Sequence, residues 1–249
     1  MRTKSPLPLH ADRKALALCF GLSMSGFSWA SDYSESERSY QDKPVDTWLL
    51  EYEADDFSDK VSRAQMIFAP KNFAQEQTYF FRCLNYSTNF SVQFLEQKKN
   101  LLNADGSLTN HSKKYAKGGF IYHDNQYLTV SLNGDKERYE VAVGGQTRNL
   151  TPLFKADVPD TDELLGMSFH FEFYFKDMPS FSSRNSDDDS RRFFKQLKQA
   201  LQTGKPLEFE LSSPNNQVHK FRFDSDRLKR FAPENLLEFC VIERELRDE

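Results

Sequence analysis

The sequence predicts a mainly β domain: an antiparallel, β-sandwich-like fold with one or two short helices near the C-terminus. Three observations carry that reading. Met167–Lys176 places Phe169, Phe171, Phe173 and Phe175 in strict alternation with His170, Glu172, Tyr174 and Lys176. Period two puts the four phenylalanines on one face of a strand. Asn133-Gly134 sits between two alternating runs, and this dipeptide accepts positive φ at both central positions of a tight hairpin. Short apolar, β-branched and aromatic segments recur between turn residues along most of the chain.

The elements follow in order. Residues 1–30 read as a cleavable signal peptide. Arg2, Lys4, Arg13 and Lys14 give a basic start, Ala15–Phe27 is an uncharged apolar run, and Ser28-Trp29-Ala30 offers small residues for cleavage before Ser31. The apolar run is shorter than the roughly 20 residues that span a bilayer. Cys19 follows Leu18, where lipid attachment would need a small residue. Residues 31–45 are polar and aperiodic and are expected to form a flexible tail. Residues 46–249 then form the β-rich globular region, as one domain or as two sub-domains.

Strands are expected at Trp48–Ala54, Val61–Ala69, Thr78–Leu84, Asn89–Leu95, Gly119–His123, Tyr127–Leu132, Arg138–Val143, Met167–Lys176, Leu207–Leu211 and Val218–Phe223. Gly144-Gly145 reads as a turn pair, and Pro214-Asn215-Asn216 as the turn of the last hairpin. A helix is expected over Ser190–Gln202, with Phe193, Phe194, Leu197, Ala200 and Leu201 on one face. Asp187, Asp188 and Asp189 suit its positive end, and Gly204 its stop. A second helix over Asp226–Phe239 must break or restart at Pro233.

Charge narrows the partners. The whole chain has 33 Lys+Arg and 37 Asp+Glu; without its first thirty residues it has 29 and 36, a net charge of −7. A net acidic chain repels phosphates and anionic lipids, which disfavours nucleic-acid binding. No later apolar run is long enough to span a membrane, so none is expected after signal cleavage. Cys83 and Cys240 remain in the mature part. An even count in an oxidising compartment suggests a disulfide; two separate buried thiols are the alternative.

Candidate sites are few. Asp55-Asp56-Phe57-Ser58-Asp59 is oxygen-rich but lacks the spacing of a calcium loop. The histidines His111, His123, His170 and His219 have no zinc-type i, i+4 pairing, though His170 and His219 would meet if their strands faced each other. No nucleophile elbow or phosphate loop is present, so no catalytic residue, metal or cofactor is assigned. Tyr122, His170, Glu172 and Tyr174 form a candidate binding face, since tyrosine suits interfaces.

The rhythm of the mature chain resembles a periplasmic family. A Trp48 strand, the Asp55–Asp59 turn and Arg82-Cys83 come first; Phe193-x3-Leu197, a Phe209 strand, Phe221-x-Phe223-Asp224, a leucine-bearing helix and Cys240 come last. This arrangement is similar to the TagO/VasI-like proteins associated with type VI secretion, over residues 48–84 and 190–240. Residues 96–165 depart from that pattern. The resemblance implies an accessory role through protein contacts, with no catalytic residues to transfer, and favours a Cys83–Cys240 bridge.

Three functions follow as expectations: an exported, periplasmic or secreted accessory protein acting on an unidentified protein partner; a secreted hydrolase or carbohydrate-active enzyme; or a carrier of small apolar ligands. Converging carboxylates or histidines in a deep pocket would mark the enzyme, and a closed apolar cavity the carrier. A packed core beneath a tyrosine-bearing face would mark the accessory protein.

Overall fold

A computed structural model describes residues 44–55, 60–72, 76–101, 103–105, 107, 112–115, 120–146, 164–177, 184–212 and 217–247. The expected signal peptide over residues 1–30, the expected tail up to residue 43, most of the Asp55–Asp59 loop and the expected Pro214–Asn216 turn lie outside the described residues.

Among the described residues, ten strands form one antiparallel sheet. They are β1 (Thr47–Ala54), β2 (Val61–Ala69), β3 (Thr78–Leu84), β4 (Ser87–Gln97), β5 (Ser112–Tyr115), β6 (Phe120–Leu132), β7 (Asp135–Gln146), β8 (Leu164–Tyr174), β9 (Leu207–Ser212) and β10 (Val218–Phe223). Their order is β1-β2-β3-β4-β8-β7-β6-β9-β10, with β5 paired to β6. The expected mainly β, antiparallel fold is present. Its layers come from one sheet curled over on itself, so that the inner face of β9 and β10 meets that of β1, β3 and β4.

The phenylalanine row of β8 explains the curl. Phe169, Phe171, Phe173 and Phe175 are all buried. The first three pair in register with inner residues of β4: Phe169 with Val92, Phe171 with Phe90 and Phe173 with Thr88. A flat sheet leaves such a row facing water; curling supplies the second layer. Phe223 of β10 completes it, with its ring 6.1 Å from Trp48, 5.3 Å from Tyr79 and 5.7 Å from Phe90.

Helix α1 (Asp188–Thr203) fills the trough. Asp187 caps it by accepting from the Ser190 amide at 2.7 Å, Asp188 and Asp189 follow in the first turn, and Gly204 ends it. Its apolar face carries Phe193, fully buried, whose ring stacks 4.1 Å from Phe171 and lies 5.4 Å from Phe90 and 6.1 Å from Phe209. One helical side chain thus touches three strands. Asp189 fixes the helix end by accepting from the Glu140 amide at 2.6 Å.

The second expected helix is interrupted at Pro233, as its missing amide requires. It becomes α2 (Ser225–Phe231), α3 (Glu234–Leu237) and a π-turn over Glu238–Ile242. That turn delivers Cys240 to Cys83. The two are disulfide-bonded, with Cα atoms 5.3 Å apart, and neither is exposed to solvent. Beside the bridge, the Thr88 hydroxyl donates to the Cys240 carbonyl at 2.8 Å. Beyond it, Leu246 bridges to Phe175, and the Arg247 amide donates to the Tyr174 carbonyl at 2.9 Å.

Three expectations change. The segments Gly119–His123 and Tyr127–Leu132 are not two strands; β6 runs through both, with a register shift between His123 and Gln126 that absorbs the polar residues. Gly144-Gly145 is not a turn. Both lie in β7, and a Cβ at Gly145 would come within 2.1 Å of the Gly166 carbonyl oxygen, so the close approach of β7 to β8 requires glycine there. Strand β5 was not anticipated, because Ser112–Tyr115 is short and basic. The Asn133-Gly134 hairpin forms as expected, with φ of 55° and 93°.

Replacing both cysteines, Cys83→Ser with Cys240→Ser, removes a bridge across a separation of 157 residues. Loop closure of that length is worth about 5 kcal/mol in the chain-entropy model. Urea denaturation of the oxidised protein and the variant should differ by most of that amount; equal midpoints would contradict the bridge. Phe193→Ala should cost roughly 3–5 kcal/mol by the same measurement, because the site is enclosed by rings that cannot collapse into it. A cost under about 1 kcal/mol would mean that α1 does not fill the trough.

Candidate functional site

The outward face of β4 and β8 carries the residues singled out in the sequence. The register aligns Ser91 with His170, Asn89 with Glu172 and Ser87 with Tyr174. Position 122 of β6 aligns with Gly144 of β7, which aligns with Ser168 of β8. The backbone register therefore places the Tyr122 position on the same side of the sheet as His170, Glu172 and Tyr174.

This face is ordered by its own hydrogen bonds. The Tyr174 hydroxyl donates to Glu172 Oε2 at 2.6 Å, and the Tyr174 amide donates to the Ser186 hydroxyl at 2.8 Å. Burial, then the Glu172 carboxylate, pushes the Tyr174 phenol up to about 12, with Arg184 acting in the opposite direction. His170 is half-buried. Burial holds its imidazole below the ordinary value, opposed by the negative charges of Glu172 and Asp187. Towards β1 the same face turns apolar: Ile67 and Ala69 are buried against Val45, Leu49 and Phe80. Sequence reasoning missed that patch, because Ile67-Phe68-Ala69 is apolar on both faces and breaks the alternation.

A second polar cluster lies inside the curl. Glu96, 2% exposed, accepts from the Gln97 amide at 2.8 Å and from Asn100 Nδ2 at 2.6 Å, and its other oxygen lies 2.6 Å from His219 Nε2. Phe94 and Phe221 flank the imidazole, with centroids 5.1 and 6.0 Å away. A buried carboxylate needs this set of donors, and it ties β4 to β10 across the layers. The suggested meeting of His170 with His219 is not made through the sheet ladder. Strands β7, β6 and β9 separate β8 from β10, and His219 engages Glu96 instead. A glutamate at the end of β4, 123 residues from its partner, gave no sequence signal.

Where the curl stays open there is a cleft of about 530 Å³, between the inner face of β1–β3 and strands β9 and β10. Trp48, Phe68 and Tyr79 line one side and Lys220, Phe221 and Arg222 another. The buried Tyr79 hydroxyl has no hydrogen-bond partner among the described residues. Burial pushes its phenol up. Arg227 closes one end: it donates to Asp46 Oδ1 at 2.8 Å, and its guanidinium lies 4.8 Å over the Phe68 ring.

The remaining candidates resolve simply. Of the acidic turn, only Asp55 is described; its amide donates to the Lys60 carbonyl at 2.9 Å. Asp187 and Asp189 serve α1, as above. No cluster of metal-ligating side chains occurs among the described residues, and no helix among them is long and apolar enough to cross a membrane.

The depressed His170 pKa fixes the sign of one pH effect. The unfolded chain binds a proton near pH 6.5, while the folded chain resists it. The stability that neutral His170 contributes is complete above that pH and fades as pH falls below it. His170→Gln should therefore lose less stability than the parent between about pH 7.5 and about pH 5.5, read from urea midpoints. Equal losses would remove His170 from the account. No family model matches the chain, nor does any curated protein or solved structure.

Proposed function

We propose that this chain is an exported accessory protein, periplasmic or secreted, that acts by binding another protein. The observation that carries the reading is the buried Cys83–Cys240 disulfide. Such bridges persist in oxidising compartments, which agrees with a cleaved segment ending at Ala30. The binding half of the proposal rests on the surface. The trough of the sheet, where a carrier would keep its ligand, is occupied by Phe193 and Phe194. The outward face of β8 presents the ordered Tyr174–Glu172 pair beside the half-buried His170. Tyrosine and histidine on a rigid strand lose little entropy on contact, which suits an interface. The resemblance to TagO/VasI-like proteins points the same way.

Two measurements test this. Protein recovered from the native host should begin at Ser31, fractionate outside the cytoplasm and have no alkylatable thiol. A cytosolic chain that retains Met1 would overturn the export half. A photo-crosslinking residue in place of Tyr174 should give one discrete adduct in intact cells. No adduct there, in a correctly folded and exported protein, would overturn binding through this face.

A further inference from the structure

The open side of the curl is also the end of the sheet. Strand β10 is the last in the order and pairs only with β9 among the described residues. Its two faces are sharply divided. Phe221 and Phe223 point inward, while Lys220 and Arg222 point out. On the side that is paired, the match is complete: Lys220 lies opposite Glu210, with Nζ 3.2 Å from Oε1, and Arg222 lies opposite Glu208. On the other side the strand borders the cleft. Antiparallel pairing sends the main-chain groups of alternate residues the same way. As the last strand in the order, β10 therefore leaves the main-chain groups of every second residue on the edge that borders the cleft.

A buried hydroxyl without a partner is costly, and so is a strand edge whose donors face a half-enclosed space. Both lie against the same aromatic wall of Trp48 and Tyr79. Waters satisfy such groups singly; one occupant satisfies them together only if it offers main-chain acceptors and donors at strand spacing.

We propose that the β10 edge and its cleft take up one extended segment of the partner protein, added to the sheet as an eleventh strand. This deepens the accessory reading and rests on it. The segment's chemistry is set by its surroundings. Residues facing Trp48 and Tyr79 are apolar or aromatic. Residues facing outward, beside Lys220 and Arg222, are acidic, as Glu208 and Glu210 are on the paired side. The segment therefore alternates apolar with acidic residues, the pattern of Leu207-Glu208-Phe209-Glu210-Leu211. A second copy of this chain fits poorly, because antiparallel self-pairing centred on Lys220 or Phe221 sets Lys220 against itself or against Arg222.

The probe is a fluorescein-labelled synthetic peptide copying residues 205–212, added to the oxidised mature protein. Saturable binding is expected, with amide exchange at alternate residues of β10 slowed at least tenfold. The same peptide with alternate amides N-methylated should lose binding, which tests the main-chain bonds with the protein unaltered. Lys220→Glu with Arg222→Glu should weaken the peptide at least tenfold, and lysines in place of its glutamates should restore binding to that variant. Equal binding of the N-methylated peptide, unchanged exchange along β10, or self-association through β10 would overturn the proposal. Failure here with the Tyr174 adduct intact removes only the edge assignment; loss of that adduct as well removes the accessory reading.

Discussion

The fold depends on how Phe193 is enclosed. A sheet with an apolar inner face is unstable as a ribbon, since half of it must meet something other than water. This chain meets that demand with helix α1 and a bend. Phe193 reaches Phe171 at 4.1 Å, and Phe90 and Phe209 at 5.4 and 6.1 Å, so β8, β4 and β9 share one contact. Strands β4 and β8 are neighbours, but β9 lies three places beyond β8 in the sheet order, and the side chains of all three converge. The curl, the position of α1 and the inward turn of β10 are aspects of the same burial.

Two closures then hold the curl at different places. The disulfide ties β3 to the π-turn, and the Glu96–His219 contact ties β4 to β10. They differ physically. The disulfide acts mainly by limiting the unfolded chain. The Glu96 cluster acts in the folded state, where three donors offset the desolvation of one carboxylate. Neither reaches the cleft between β1–β3 and β10, which is bounded instead by Arg227 and Asp46.

Local pattern was legible and long-range pairing was not. Strands β2, β3 and β10 begin and end where alternation and turn residues place them. The Asn133-Gly134 turn and the Asp187 cap each follow from the chemistry of one or two residues. The failures have a common cause. Gly145 is a strand residue because of a carbonyl 21 positions away, and β6 is continuous because β7 pairs with it on both sides of the register shift between His123 and Gln126. The half of the candidate face on β8 was visible as the polar partner of the phenylalanine row. The cleft and the Glu96–His219 contact were invisible, because each unites strands that only the curl brings together.

The route of the last residues sets a temporal order. Translation delivers Cys83 long before Cys240, 157 positions later, and the residues after Cys240 lace onto the end of β8 through Leu246 and Arg247. Until the final turn of chain is made, one sulfur has no mate and Phe175 has no cover from Leu246. The molecule is a purse whose drawstring is threaded late: a chain cut anywhere before Cys240 would discard the knot along with the cord.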